Sequence, residues 1–253
     1  PRSPLFPYTT LFRSIPEILR TVRWALAAAA VVAIALPLIY GQWKTMTAIG
    51  ILLAAWIVFT AKLNYLQRAM ATRGERSLLA SLFSQPASFT GMHLAHIGVA
   101  VFLVGVTMVT SYEEEKDLKM APGQTVEVSG YSFTFNGVRS VQGPNYLAAQ
   151  GDYDLSLNGR FLRKLDPEKR NYFSSTMPMT EAAIDAGLWR DVYVSLGEPI
   201  NPDQPQGEWA VRVYYKPFVD WIWGGCVIMA LGAAIAMFDR RYRNRRKSGG
   251  SPA

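Results

Sequence analysis

The chain has 253 residues, enough for one or two domains, with a net charge of +7 and 50% hydrophobic residues. A single cysteine excludes a disulfide framework, a C-x-x-C redox pair and a C-x-x-C-H haem-attachment motif of its own. The basic residues flank apolar runs instead of clustering on one folded domain, which argues against nucleic-acid binding.

In chain order, residues 5–14 (LFPYTTLFRS) look like the in-frame translation of a sequencing adapter, so residues 1–14 are set apart from fold reasoning as an artefact. Residues 24–40 and 45–61 are nearly charge-free and joined by a tight turn, which predicts a helical hairpin that crosses a bilayer and returns. Residues 62–90 begin as a polar continuation of helix. They then give an amphipathic piece over 76–83, with Leu78, Leu79, Leu82 and Phe83 on one side, ended by Pro86. This piece reads as a membrane-surface helix. Residues 91–110 form a third uncharged run, long enough to span, and hold both histidines, His93 and His96.

Beyond an acidic cluster at 113–117 the period changes. Val126, Val128, Tyr131, Phe133 and Phe135 alternate with polar residues as half-buried strands do. Asn136-Gly137 and Asn158-Gly159 signal turns, and later alternating runs cover 192–196 and 209–215. Six or seven strands are expected, with one short helix over 180–186 and Thr180 as its N-cap. Residues 218–238 form a fourth apolar run that contains Cys226, expected to pack as a small apolar residue, and 239–253 form a basic tail.

The fold class read from this pattern is an α+β integral membrane protein. Four transmembrane helices, near 24–40, 45–61, 91–110 and 218–238, carry a β-rich domain over 111–217, a curled sheet or small barrel, between the third and the fourth. Arg13, Arg20 and Arg23 precede the first run, Lys62, Arg68, Arg73 and Arg76 follow the second, and a cluster from Arg240 to Lys247 follows the fourth. The positive-inside rule then puts both ends in the cytoplasm and 111–217 outside. Residues 111–217 carry 11 Lys/Arg and 15 Asp/Glu, a net of −4, whereas the rest of the chain carries +11.

An ionisable group within a span is expensive and is by default a functional-site hypothesis. His96 could ligate a haem iron, with Gly91, Ala95, Gly98, Ala100 and Gly105 making room for the macrocycle; equally, it could be satisfied by a partner helix while the small residues serve helix packing. His93 lies roughly 60° around the helix from His96 and reads as an interfacial or supporting group. The outward segment contains no histidine, so no Ser/His/Asp arrangement is possible there, and no catalytic residue is assigned. Glu181 and Asp185, one turn apart on the expected helix, could bind a cation or act as acid and base, against the plainer reading of a solvated helix face.

Several motifs stand in fixed order: Met92-His-Leu-Ala-His96-Ile-Gly98, Gly143-Pro-Asn-Tyr146, Met179-Thr-Glu-Ala-Ala-Ile-Asp185, Arg190-Asp-Val-Tyr193, Trp209-Ala-Val-Arg-Val-Tyr-Tyr-Lys-Pro217 and Phe238-Asp-Arg-Arg-Tyr242. Together they strongly resemble the C-terminal part of the CcmF family, haem lyase subunits of the system I cytochrome c maturation machinery. The resemblance implies a multi-pass protein of the bacterial inner membrane with 111–217 in the periplasm. It implies haem b in the membrane with His96 as one axial ligand, and gives His93 at most a supporting place. Implied partners are haem from a periplasmic haem chaperone, apocytochrome c, thioredoxin-like and scaffold subunits of the same machinery, and membrane lipid. The family's tryptophan-rich haem-handling segment, its two flanking histidines and the second axial histidine are not in this sequence and are expected upstream. The chain is therefore expected to be a C-terminal fragment that cannot complete a haem site, or act as a haem lyase, alone. The alternative reading is a membrane-anchored extracytoplasmic binding or scaffold module without its own haem.

Overall fold

The computed structural model of the chain describes residues 15–204 and 206–239; the adapter-like segment 1–14 and the basic tail from Arg240 onward lie outside the described residues. The chain divides into two compact units, Pro1–Thr107 with Trp221–Ala253, and Met108–Asp220.

The first unit is helical: α1 (Ile15–Ile39), α2 (Thr45–Ala71), α3 (Leu78–Phe83), α4 (Ala87–Tyr112) and α5 (Val219–Met237), of which α4 and α5 lead into and out of the second unit. α1, α2, α4 and α5 are long and apolar enough to cross a membrane. α1 buries Ala25, Ala29 and Ala33, spaced by one helical turn, and packs on α2, which buries Ile51 and Ala54. α2 runs ten residues beyond the apolar stretch that ends at Ala61. Lys62, Leu63, Gln67 and Arg68 are good helix formers, and no Gly or Pro interrupts them before Gly74. The amphipathic piece is a single short helix, α3. Its N-cap Ser77 accepts from the Ala80 N–H at 3.2 Å, and Leu79 and Phe83 stay exposed. Ser81 Oγ donates to the Ala69 carbonyl at 2.5 Å and fixes α3 to the end of α2.

The second unit is a curled β-sandwich of ten strands, the curled β domain expected, though with more strands than the sequence pattern suggested. One antiparallel sheet has the order β1 (Glu114–Met120), β10 (Trp209–Pro217), β9 (Arg190–Pro199), β8 (Ala183–Asp185). The other has the order β2 (Thr125–Val128), β3 (Tyr131–Gln142), β4 (Tyr146–Leu157), β6 (Glu168–Tyr172), β7 (Met179–Glu181), with β5 (Arg160–Leu165) also paired to β4. Their inner faces close on Phe133, Phe135, Tyr153, Leu155, Val192, Val194, Leu196, Trp209, Val211 and Val213. Each large side chain so buried stabilises by about 1.5–3 kcal/mol against exposure. Polar stitches join the sheets at both edges. Lys116 Nζ donates to the Glu127 carbonyl at 2.6 Å between β1 and β2, and Arg163 meets Asp185 at 3.3 Å between β5 and β8.

Two local expectations are corrected and a third holds. Residues 180–186 form no helix: β7 ends at Glu181 in one sheet and β8 begins at Ala183 in the other, so the chain steps between sheets at Ala182. Pairing with β6 and β9 outweighs the local helical pattern. Asn136-Gly137 is a bulge inside β3, where the register shifts between Phe135 and Gly137 and Gly137 takes φ +123°. Asn158-Gly159 is the hairpin turn expected, with φ of 51° and 78°, and Ser129-Gly130 makes a second one between β2 and β3.

Candidate functional site

How α4 is packed decides where its histidines point. Gly91, Gly98 and Gly105 recur every seven residues and drift only about 20° per repeat around the helix. A methyl group on Gly91 would collide with the Gly232 carbonyl; on Gly98 or Gly105 it would lie 2.6 Å from the Met229 N or 2.7 Å from the Ile222 N. Gly225 and Gly232 answer from α5, where an added methyl would lie 2.6 Å from the Phe102 N and 2.5 Å from the Ala95 N. This is a close seam between membrane helices, built from small residues. The glycines singled out in α4 thus serve helix packing and leave no room for a macrocycle on that face. Thr107, against which Gly50 of α2 packs, seats α4 on its other neighbour.

His96 lies roughly 160° around the helix from Gly98, on the side turned away from the α5 seam, and is exposed. Its Nδ1 sits 2.7 Å from the Met92 carbonyl oxygen, one turn back. A carbonyl only accepts, so Nδ1 carries the proton and the Nε2 lone pair is left available. That is the tautomer an iron ligand needs, with the outer ring nitrogen held by the backbone.

His93 is different. It is 6% exposed, its Nδ1 donates to the Phe89 carbonyl at 2.9 Å, and its ring packs 4.2 Å from Phe89 and 5.3 Å from Tyr65. It lines an apolar groove of about 400 Å³ between α2, α3 and α4, with Val58, Leu66, Leu82 and Ile97. The Tyr65 hydroxyl bonds the Leu82 carbonyl at 3.0 Å and the Thr90 hydroxyl at 3.1 Å. The two histidines, three residues apart, therefore serve different surroundings.

Sequence reasoning missed Asp239. Buried at 5% exposure just after α5, it accepts from the Ser88 N–H of the first turn of α4 at 2.8 Å. A carboxylate there satisfies an otherwise unpaired helix donor and complements the positive end of the helix dipole. Its place in Phe238-Asp-Arg-Arg-Tyr242 was the available signal. Cys226 lies exposed on α5 instead of packing inside.

In the β domain the motif residues act as structural ties. Arg190 Nε donates to the Tyr131 hydroxyl at 2.7 Å and Nη1 to the Asp185 carbonyl at 2.7 Å, while the same guanidinium pairs with the Asp185 carboxylate. Glu181, four residues from Asp185, sits on the other sheet and pairs with Arg170 at 3.3 Å. On the outer face of β9 and β10 the Tyr193 and Tyr214 rings stack at 4.3 Å, flanked by Lys216 with Glu113 and by Arg212 with Glu115 and Asp117. The Arg212 guanidinium holds the Asp117 carboxyl below its ordinary range, whereas burial pushes that of Asp191 up. Among the described residues no group of three or more His, Cys, Asp or Glu could hold a metal ion. Among the described residues the membrane unit offers one exposed imidazole, and the β unit no assembled acid–base centre.

A β-sandwich inserted between two helices long and apolar enough to span marks a multi-pass membrane protein with a β domain between two of its spans. Residues 111–217 match the family described as "CcmF C-terminal beta-sandwich". The chain is 44% identical over 223 residues to "Cytochrome c-type biogenesis protein CcmF" of Pseudomonas aeruginosa, a match covering 88% of this chain and 33% of that protein. It is 40% identical over 200 residues to the protein of the same name from Escherichia coli K12, covering 79% of this chain and 29% of that one. A solved structure named "Cytochrome c Heme Lyase CcmF" superposes with a TM-score of 0.69 at 16% identity, over 94% of this chain and 36% of that one. The chain belongs to the CcmF family and spans about a third of the length of these curated relatives.

Proposed function

We propose that the chain is the C-terminal portion of a haem lyase subunit, in which His96 supplies one axial ligand to a haem b held in the membrane. The observation that carries this reading is the state of His96: exposed, turned away from α5, Nδ1 committed to Met92 and Nε2 left to bind. An exposed imidazole within the apolar run of a spanning helix is costly against lipid alone, so a ligand or further protein is expected to cover it. The second axial ligand would come from outside these residues. Bound there, a haem iron would supply redox chemistry; the chain's own part is to fix the imidazole tautomer and to hold α4 rigid through its glycine seam.

The reaction served adds an apocytochrome cysteine S–H across a haem vinyl group, forming one C–S and one C–H bond without net oxidation. The substrate haem would come from a periplasmic haem chaperone, and the other maturation subunits would be partners. The basic segments around 62–76 and at the tail favour a topology with both ends cytoplasmic and 111–217 in the periplasm of a bacterial inner membrane. His93 is given a packing and supporting place beside His96.

The test joins the chain to the preceding two thirds of the Pseudomonas aeruginosa relative and records reduced-minus-oxidised spectra in lipid nanodiscs. His96→Ala is expected to abolish the b-type signal and cytochrome c maturation, while His93→Phe keeps both. An unchanged spectrum in His96→Ala would defeat the assignment and favour an extracytoplasmic docking module.

A further inference from the structure

The chain enters and leaves the β domain at one end of the first sheet. There Glu114, two residues past the end of α4, pairs with Tyr215, and Arg190 pairs with Pro217, two residues before α5. At the same end the chain between β8 and β9 makes a tight turn over 187–190. The Arg190 N–H donates to the Gly187 carbonyl at 3.1 Å, and the Gly187 N–H donates to Asp191 Oδ1 at 3.1 Å. The Arg190 side chain, fixed on Tyr131 and Asp185, makes the base of the turn rigid.

The two residues at the tip are Leu188 and Trp189, 62% and 60% exposed. The turn thus presents a large aliphatic and an indole side by side on a fixed base. Its level is fixed by Phe218. The Phe218 N–H donates to the Trp189 carbonyl at 2.9 Å, and the two rings meet edge to face at 5.6 Å. Phe218 is followed directly by the first residue of α5, a helix long and apolar enough to span. Trp189 is therefore tied to the residue at which the chain passes into the bilayer. Indole is the side chain most enriched at the boundary between headgroups and acyl chains.

We propose that the turn at 187–190 dips into the membrane, seating Leu188 and Trp189 in the lipid interface as a third attachment of the β domain beside α4 and α5. This attachment needs no haem and stands apart from the role of His96. It would add a lipid contact of the β domain's own to its two covalent connections with the spanning helices.

The test uses the 253-residue chain in lipid nanodiscs with Cys226→Ala, so that an introduced cysteine is the sole one. A nitroxide on Leu188→Cys is compared with one on Asn158→Cys, at the β4–β5 turn. The 188 label is expected to collide several-fold more with oxygen and several-fold less with a water-soluble nickel chelate than the 158 label. Equal nickel accessibility at both sites would overturn the proposal. So would a 188 label immobile and shielded from both reagents, which would mean that protein covers the turn. A second readout needs no label. The fluorescence lost in Trp189→Phe should be blue-shifted and quenched by lipids brominated near the headgroup; a contribution untouched by those lipids would equally sink the idea.

Discussion

Adjacent glycines on α5 give a controlled test of the helix seam. A methyl group on Gly225 would lie 2.6 Å from the Phe102 N and 2.8 Å from the Gly98 carbonyl oxygen, all backbone atoms that no rotamer change can move aside. Ordinary contact needs about 3.5 Å, so Gly225→Ala must part α4 and α5 by about 1 Å, and a gap of that size forfeits up to half of each contact along the seam. Overpacking of this kind costs about 1–3 kcal/mol. Gly224 has nothing within 4 Å of an added methyl. Gly224→Ala should therefore only gain helix propensity, about 1 kcal/mol. Gly225→Ala carries the same propensity gain, so the two variants are expected to separate by the overpacking cost alone, about 1–3 kcal/mol. Unfolding in mixed micelles of rising SDS fraction, followed by tryptophan fluorescence, reads the difference as a shift in midpoint. If the two midpoints coincide, the seam does not hold α4 and the orientation argued for His96 loses its support.

Three further outcomes are expected. Asp239→Ala should destabilise the helical unit by about 1–2 kcal/mol through the lost contact with the α4 N-terminus, with Asp239→Asn intermediate, read in the same micelle titration. Asp191→Asn should raise thermal stability at pH 7, because burial lifts this carboxyl above 3.8 in the folded chain. The folded state then binds the proton more tightly, wild-type stability falls as pH rises from 3.8 through the raised value, and the advantage of the variant should vanish below 3.8; a difference independent of pH would contradict this. Ser129→Asn should stabilise by about 0.5–1 kcal/mol, since Ser129 holds φ 46° in a turn that asparagine prefers, and a lower melting temperature would count against that turn assignment.

The spans were legible because bilayer thickness imposes a length and an absence of charge that few other elements share. Asn158-Gly159 was legible because only a turn with two positive φ angles suits that pair between strands. Where partners far along the chain decide, local pattern failed. Met179 to Asp185 looks helical by spacing, yet each half finds a strand in a different sheet. Gly137 carries a turn signal, but the neighbouring strand β4 continues past it and turns the signal into a bulge. The glycines of α4 were equally consistent with a macrocycle or a helix neighbour, and only the α5 backbone separates the two. His96 was legible as a candidate. The commitment of its Nδ1, and the burial of His93 beside Tyr65, required the positions of atoms.

The pairing of β1 with β10 has a consequence for how the molecule is made. These are the first and last strands of the sandwich, in register from Glu114↔Tyr215 to Met120↔Trp209, so β1 has no partner in its sheet until the ribosome has delivered about 100 further residues. Closing a segment of that length costs roughly 4 kcal/mol of chain entropy, and contacts so distant form late. During that wait β1 is an open edge beside a membrane helix. Glu114, Glu115, Lys116, Asp117 and Lys119 make that edge densely charged and hard to pair with the wrong strand, which protects the nascent chain until β10 arrives.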